Sequence, residues 1–328
     1  MNPYLYPTPR TDRKLADCRP CVHASDACAL TVHRWQAPAT CGELFQGAID
    51  GRDLMVNCPI DLFATAEATV APMAPLGGVA LKDAHRFGKV AATLRQLESR
   101  IPEFRSSATA GIALRVNSPI PRGKGMASST ADASAALAAV LSCAGIVLDE
   151  EAAARLLTAV EPSDCTHFTG IARLDFLQGE LLERFPSPTN LKVLVVDCGG
   201  EVETVEFDRT RARGVYAQHG DRQRDALRTL ARGLTEGCNR CIGEAATASA
   251  ELSQFILPKK GFRELRALSA EWGLVGINCA HSGTVLGLLF EDAPGHEEQL
   301  RDRMDHEFGD DLDVLGAFRI IGGGNRAI

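Results

Sequence analysis

Two periodicities alternate along the chain, one of two residues and one of three to four. Ile112, Leu114 and Val116 alternate with Ala113, Arg115 and Asn117, the pattern of a strand with one buried face. Pro119 and Pro121 end that strand, because proline cannot donate to a ladder. Residues 61–71 (DLFATAEATVA) are β-branched with partial alternation and predict another strand. Residues 31–48 begin as a strand and are expected to turn through Ala37 and Pro38 into a glycine-punctuated loop. Residues 84–99 set Phe87, Val90, Ala91, Leu94 and Leu97 on one side of a helix.

After Pro121 comes a turn containing Gly123 and Gly125. The pair Ser128 and Ser129 then opens an Ala-rich helix running to about Cys143, with Gly145 as its stop. Asp149 caps a further helix that Pro162 terminates. The segment PSPTN (186–190) reads as a linker. Beyond it the pattern predicts a buried strand at 191–197 and helices at 221–235, 238–256 and 260–272. A strand at 274–278, a glycine turn, a strand at 284–290, a helix at 296–307 and a closing strand AFRIIGGG follow. No internal repeat is present. Strands and helices mixed in both halves predict an α+β fold of two lobes, 31–188 and 189–328, with the site between them. Residues 1–30, rich in proline, charge and small side chains, predict a disordered tail.

Composition narrows the function. The 328 residues are 45% hydrophobic and carry a net charge of -7, which excludes a global basic field for nucleic acid. Aromatic residues make up 5%, which argues against base-stacking platforms. No apolar run approaches the roughly 20 residues needed to span a bilayer, and the N-terminus lacks the apolar core of a secretory signal. A cytoplasmic location is expected. The eleven cysteines are an odd number and read as reduced thiols. Cys18 and Cys21 have a spacing seen in zinc sites. Beside His23 and Cys28 they read as incidental thiols of the tail. Cys41 and Cys58 read as packing thiols.

The segment GKGMASST (123–130) carries the chemistry. A helix start leaves about four backbone N–H groups without partners and carries roughly half a positive charge. Gly123 and Gly125 let phosphate oxygens approach the backbone. Ser128, Ser129 and Thr130 add hydroxyls, so strand, turn and helix together make an anion site. The general P-loop signature does not fit, because Lys124 lies between two glycines rather than directly before a serine.

This segment resembles the phosphate-binding motif P-x-x-x-G-L-G-S-S-A of the GHMP kinases (galacto-, homoserine, mevalonate and phosphomevalonate kinases). Pro121, Gly125, Met126, Ala127, Ser128, Ser129 and Thr130 fill it. APATCGELFQG (37–47) resembles the first motif of that family, and CAHSGTVLGLLF (279–290) its C-terminal glycine-turn motif. The resemblance covers about residues 31–328, with the motifs in family order. Within the family, CGELFQG, GMASSTAD (125–132) and EPSD (161–164) look like the L-threonine kinases of cobalamin biosynthesis. The sequence departs from the pattern where Ala127 replaces the second glycine. It departs again where His281, Ser282 and Gly283 stand in place of a full glycine run.

The resemblance implies the two-lobed GHMP kinase fold, with a ribosomal-protein-like βαβ N-terminal lobe and a ferredoxin-like C-terminal lobe. It implies ATP and Mg²⁺ as cofactors and L-threonine as acceptor; a homoserine kinase-like enzyme or a non-catalytic ligand-binding relative are the alternatives. Gly123, Lys124 and the motif residues Pro121 and Gly125 to Thr130 would bind ATP. Ser129 and Glu161 would hold the metal. A carboxylate at a helix C-terminus meets the negative end of the dipole and needs a cation, which also favours Glu161 as a ligand. Asp164 would act as catalytic base or anchor the substrate hydroxyl or ammonium. Glu43, Cys41 and Gly42 would bind the substrate, with Glu43 meeting the ammonium of an amino acid. His281, Ser282 and Gly283 would meet its carboxylate or the γ-phosphate.

Overall fold

The computed structural model describes residues 31–71, 78–107, 111–200, 208–309 and 311–328, with backbone alone for 105–107. The expected tail, with Cys18, Cys21, His23 and Cys28, lies outside the described residues. Strands β1 (Val32–Ile49) and β2 (Arg52–Val70) form a long antiparallel hairpin. Its two-residue loop, Asp50 and Gly51, has φ of 52° and 79°. Positive φ at both loop positions gives a twist that matches the flanking strands. The expected break at Pro38 does not occur. The strand continues, and the ladder shifts register between Pro38 and Ala39 and twice more before Phe45. Bulges absorb the missing proline N–H and bend the strand instead of ending it.

Strand β3 (Val79–Leu81) precedes α1 (Gly88–Arg100) and α2 (Pro102–Ser107), and β4 (Ile112–Asn117) follows. Helix α3 (Ser128–Ala144) leads to α4 (Glu150–Thr158) and the hairpin of β5 (Ile171–Asp175) and β6 (Glu180–Phe185). Then come β7 (Leu191–Asp197), α5 (Arg209–Gln218), α6 (Gly220–Glu236), α7 (Asn239–Ser253) and α8 (Phe262–Glu271). The chain closes with β8 (Gly276–Cys279), β9 (Val285–Glu291), α9 (His296–Phe308), β10 (Asp313–Arg319) and β11 (Arg326–Ala327). The strands run β10-β7-β9-β8-β1-β2-β4-β3, with β11 beside β1, β5 beside β2 and β6 beside β5. The fold is α+β. The predicted division at 188/189 falls in the connection between β6 and β7.

Small side chains let α3 lie close on β1 and β2. Ala131, Ala133, Ala135, Ala136 and Ala139 are all buried along it, and Gly145 stops it in a left-handed conformation with φ 69°. Asp149 caps α4 by accepting from the Ala152 N–H at 2.6 Å. That helix ends at Thr158, ahead of the predicted stop. Pro162 disfavours helical backbone at Glu161, so the turn is released early. Leu194, Val196, Leu286 and Leu288 make a second apolar cluster with α8 and α9. Among the described residues, no helix is long and apolar enough to cross a membrane.

Candidate active site

The turn ahead of α3 is left-handed at Gly123, Gly125 and Ala127. Alanine at φ 56° strains the backbone by roughly 1 kcal/mol, because its Cβ crowds the following carbonyl. Ala127 is the N-cap of α3, and no side chain caps that helix start. The first-turn N–H groups, which lack intrahelical partners, therefore face a cleft of about 280 Å³.

The carbonyls of the turn point the other way. The Thr40 N–H donates to Met126 O at 3.1 Å and the Gly42 N–H to Gly125 O at 3.2 Å. The Thr284 and Val285 N–H groups share Lys124 O at 3.0 and 3.1 Å. A Cβ on Gly125 would stand 2.9 Å from Gly283 Cα. The three segments that resemble family motifs thus meet backbone to backbone, and glycine at 125 and 283 permits that approach.

Around the cleft, Ser129 Oγ donates to Glu161 Oε1 at 3.2 Å. Lys89, on the first turn of α1, reaches the same Oε1 at 3.1 Å with only 6% of its side chain exposed. Its Nζ also donates to Thr130 Oγ1 at 3.0 Å and to Ser163 Oγ at 3.4 Å. Glu161 therefore stands beyond the end of α4, and the cation that its position demanded is Lys89. Asp164 keeps partial solvent access where it lines the cleft. Burial of its carboxyl and then the nearby Glu43 push its pKa up to about 7, against the pull of Lys89. The Asp164 carbonyl accepts from Asn57 Nδ2, which fixes the backbone there.

Of the residues singled out from the sequence, the cleft wall gathers Glu43, Gly123, Gly125, Met126, Ala127, Ser128, Ser129, Thr130, Glu161, Asp164 and Ser282. Pro121, Lys124, Cys41, Gly42, His281 and Gly283 are not part of that wall. Lys124 instead pairs with Asp197 at 2.7 Å, and the Thr284 hydroxyl donates to the same carboxylate at 2.6 Å. Cys41 is buried, and its Sγ lies 3.8 Å from Asn278 Oδ1. The His281 N–H and Nδ1 both meet Glu43 Oε2 at 2.9 Å, while Nε2 faces Ser249 Oγ at 3.4 Å. Sequence reasoning missed Lys89, Arg122, Ser163 and Arg209, all in the wall. Ser163 lay inside EPSD and was within reach, but no local pattern separates Lys89 from the other 34 lysines and arginines.

The residues present fit a hard divalent cation. Ser129 and Glu161 offer hydroxyl and carboxylate oxygens beside the helix start, and both contacts to Glu161 fall on Oε1. Among the described residues no cluster of three His, Cys, Asp or Glu could hold a metal alone. That sparse set suits Mg²⁺, which keeps several waters and binds through one or two protein ligands.

Residues 87–172 match the GHMP kinases N terminal domain. The chain is 35% identical over 257 residues to an L-threonine kinase of Citrobacter freundii, covering 78% of this chain and 85% of that one. The chain belongs to the GHMP kinases. An L-threonine kinase of Salmonella typhimurium is 34% identical over 259 residues, 78% of this GHMP kinase and 82% of that protein. The crystal structure of homoserine kinase from Cytophaga hutchinsonii superposes with a TM-score of 0.69 at 17% identity, covering 93% of this chain and all of that one. The GHMP kinase fold expected from the motifs is the fold observed.

Proposed function

We propose that this GHMP kinase transfers the γ-phosphoryl group of ATP to the side-chain hydroxyl of L-threonine, giving ADP and O-phospho-L-threonine. In this reading the product serves cobalamin nucleotide-loop assembly in the cytoplasm. The observation that carries the reading is the meeting, in one cleft, of an uncapped helix start, the Ser129–Glu161 pair and a carboxyl with its pKa near 7. The identity to L-threonine kinases supports threonine as the acceptor.

The triphosphate rests against the first-turn amides of α3, where the dipole favours negative charge. Ser129 and Glu161 are the residues that would hold Mg²⁺, which would supply positive charge to neutralise the phosphate oxygens. Asp164, half ionised near neutrality, accepts the proton of the threonine hydroxyl as it attacks. Lys89 holds Glu161, Thr130 and Ser163 in register. It also sets a fixed positive charge where negative charge gathers in the transition state. Threonine brings an ammonium and a carboxylate as well. Glu43 uses Oε2 for His281, leaving Oε1 for the ammonium. Arg209, which makes no ion pair among the described residues, suits the carboxylate.

An ADP-release assay with L-threonine, L-serine, L-homoserine and mevalonate tests the reading. L-threonine gives the highest kcat/KM, and L-serine, lacking one methyl, falls roughly 10–200-fold below it. L-homoserine or mevalonate ahead of L-threonine would overturn the acceptor. ATP binding without turnover on any of the four would overturn catalysis and leave a ligand-binding protein.

A further inference from the structure

A pair of cysteines at the start of α7 has no part in the cleft. Gly237 ends α6 in a left-handed conformation with φ 70°, and Cys238 follows directly as the N-cap of α7. The Cys238 Sγ accepts the Cys241 N–H at 3.3 Å, as an N-cap side chain does. The two sulfurs stand 2.6 Å apart. That lies well inside sulfur–sulfur contact, and among the described residues no other two cysteines share such an approach. Both are free thiols. Cys238 is half-buried and within reach of solvent, whereas Cys241 is 5% exposed beneath it. Arg232 Nη2 lies 3.7 Å from the Cys241 Sγ.

The spacing C-x-x-C at a helix N-terminus is the arrangement in which the outer sulfur becomes a thiolate and the inner one resolves it. The unpaired amides of the helix start stabilise the anion, and an i, i+3 separation brings the Cα atoms into disulfide range. The pKa directions agree with this division of labour. The Cys241 S–H and then the Cys241 N–H lower the Cys238 thiol, and the same sulfur–sulfur contact raises Cys241.

The geometry points to Cys238 and Cys241 as a thiol–disulfide exchange site, with Cys238 attacking and Cys241 resolving, whose co-substrate is a low-molecular-weight disulfide. In the first step the Cys238 thiolate attacks one sulfur of the disulfide RSSR. Its S–S bond breaks, RS⁻ leaves and a mixed disulfide forms on Cys238. In the second step the Cys241 thiol loses its proton and attacks the Cys238 sulfur, expelling the second RS⁻. Both RS⁻ take up the protons released by the cysteines. Two protein thiols are oxidised to one disulfide, and RSSR is reduced to two RSH. The reverse exchange with excess RSH restores the dithiol. The site stands on the geometry of α7 and does not depend on the phosphoryl-transfer reading.

Trypsin separates the two sulfurs at Arg240, which makes the test direct. The folded full-length protein is incubated with oxidised glutathione at neutral pH, quenched by alkylation and digested. Peptides 233–240 and 241–259 then appear as one cross-linked species that dithiothreitol divides. Cys238→Ser, which keeps a good N-cap, abolishes the cross-link and leaves Cys241 unmodified. Cys241→Ser traps a glutathione adduct on Cys238. In the reduced wild type, iodoacetamide modifies Cys238 about tenfold faster than half-buried Cys143, whose thiol burial pushes up. Absence of the cross-link at any glutathione ratio would overturn the proposal. So would an adduct that settles on Cys241, or Cys238 alkylation no faster than that of Cys143.

Discussion

The glycine turn at 123–127 separates two groups of charged side chains. On the cleft side, Lys89, Glu161, Ser129 and Asp164 hold one another loosely around open space. On the other side, Lys124 and Asp197 are closed into a pair that Thr284 completes, while Glu43, which lines the cleft, spends one carboxylate oxygen on buried His281. Each group joins residues of the family-like segments to a partner from elsewhere in the chain, Lys89 in the first and Asp197 in the second. The difference teaches that motif membership has two physical meanings. Some motif residues offer unpaired donors to a ligand, and others spend theirs on joining distant parts of the chain.

The comparison is sharpest at Asp164. Asp164→Asn lowers kcat by about 10²–10⁴-fold with ATP affinity little changed. In the wild type, kcat/KM for L-threonine falls as pH drops through about 7, because a base must be ionised to act. The variant loses that limb. Linkage gives a second readout of the same carboxyl. Its folded pKa, about 7, lies above the ordinary 3.8, so its proton favours the folded state at low pH. That contribution is full below about pH 4 and is lost as pH rises to 7. The asparagine variant therefore gains thermal stability over wild type at pH 8 and none at pH 4.

Ser129→Ala and Glu161→Gln come next, each lowering kcat about 10–10³-fold and raising the Mg²⁺ concentration for half-maximal rate. Unchanged Mg²⁺ dependence in both variants would show that the metal lies elsewhere. Lys89→Met lowers kcat about 10–10²-fold and shifts the acid limb upward, because its charge now draws the Asp164 pKa down. A pH profile that stays in place would separate Lys89 from Asp164. Lys124→Met draws the contrast from the closed side. It leaves KM for ATP within about threefold but costs about 2–3 kcal/mol in urea unfolding, because Asp197 is left buried without its cation. The smallest effect belongs to Ala127→Gly, which removes left-handed strain and stabilises by up to about 1 kcal/mol.

The same two meanings explain what the sequence revealed. Periodicity exposed β4, α3 and helices α6 to α9, because each buries one face and its caps are local. Asp149 and Gly145 marked real helix ends. The β1–β2 hairpin was hidden although Asp50–Gly51 is a strong turn signal, because Pro38 suggested a break that bulges in fact absorb. The short β5–β6 hairpin and α5 left too little periodic signal to detect. In the site, the helix start and the serines were legible from glycine spacing. Glu43, Glu161, Asp164 and Ser282 came through the resemblance, whereas Lys89, Arg122 and Arg209, arriving from other elements, did not. Lys89 reaches Glu161 across 72 positions of sequence, and nothing near Gly88 announces that meeting. Conversely, His281 and Lys124 carry ligand-like side chains that the fold commits to partners of its own.

Lys124 O accepts from residues 284 and 285, and Gly125 O from residue 42. The glycine turn ahead of α3 is thus shaped by stretches lying more than eighty positions upstream and more than a hundred and fifty downstream. Such long loops must close before those bonds can form, and closure of that kind is slow. Refolding from denaturant should therefore restore helical signal before affinity for ATP, with nucleotide capture reporting the last assembly step.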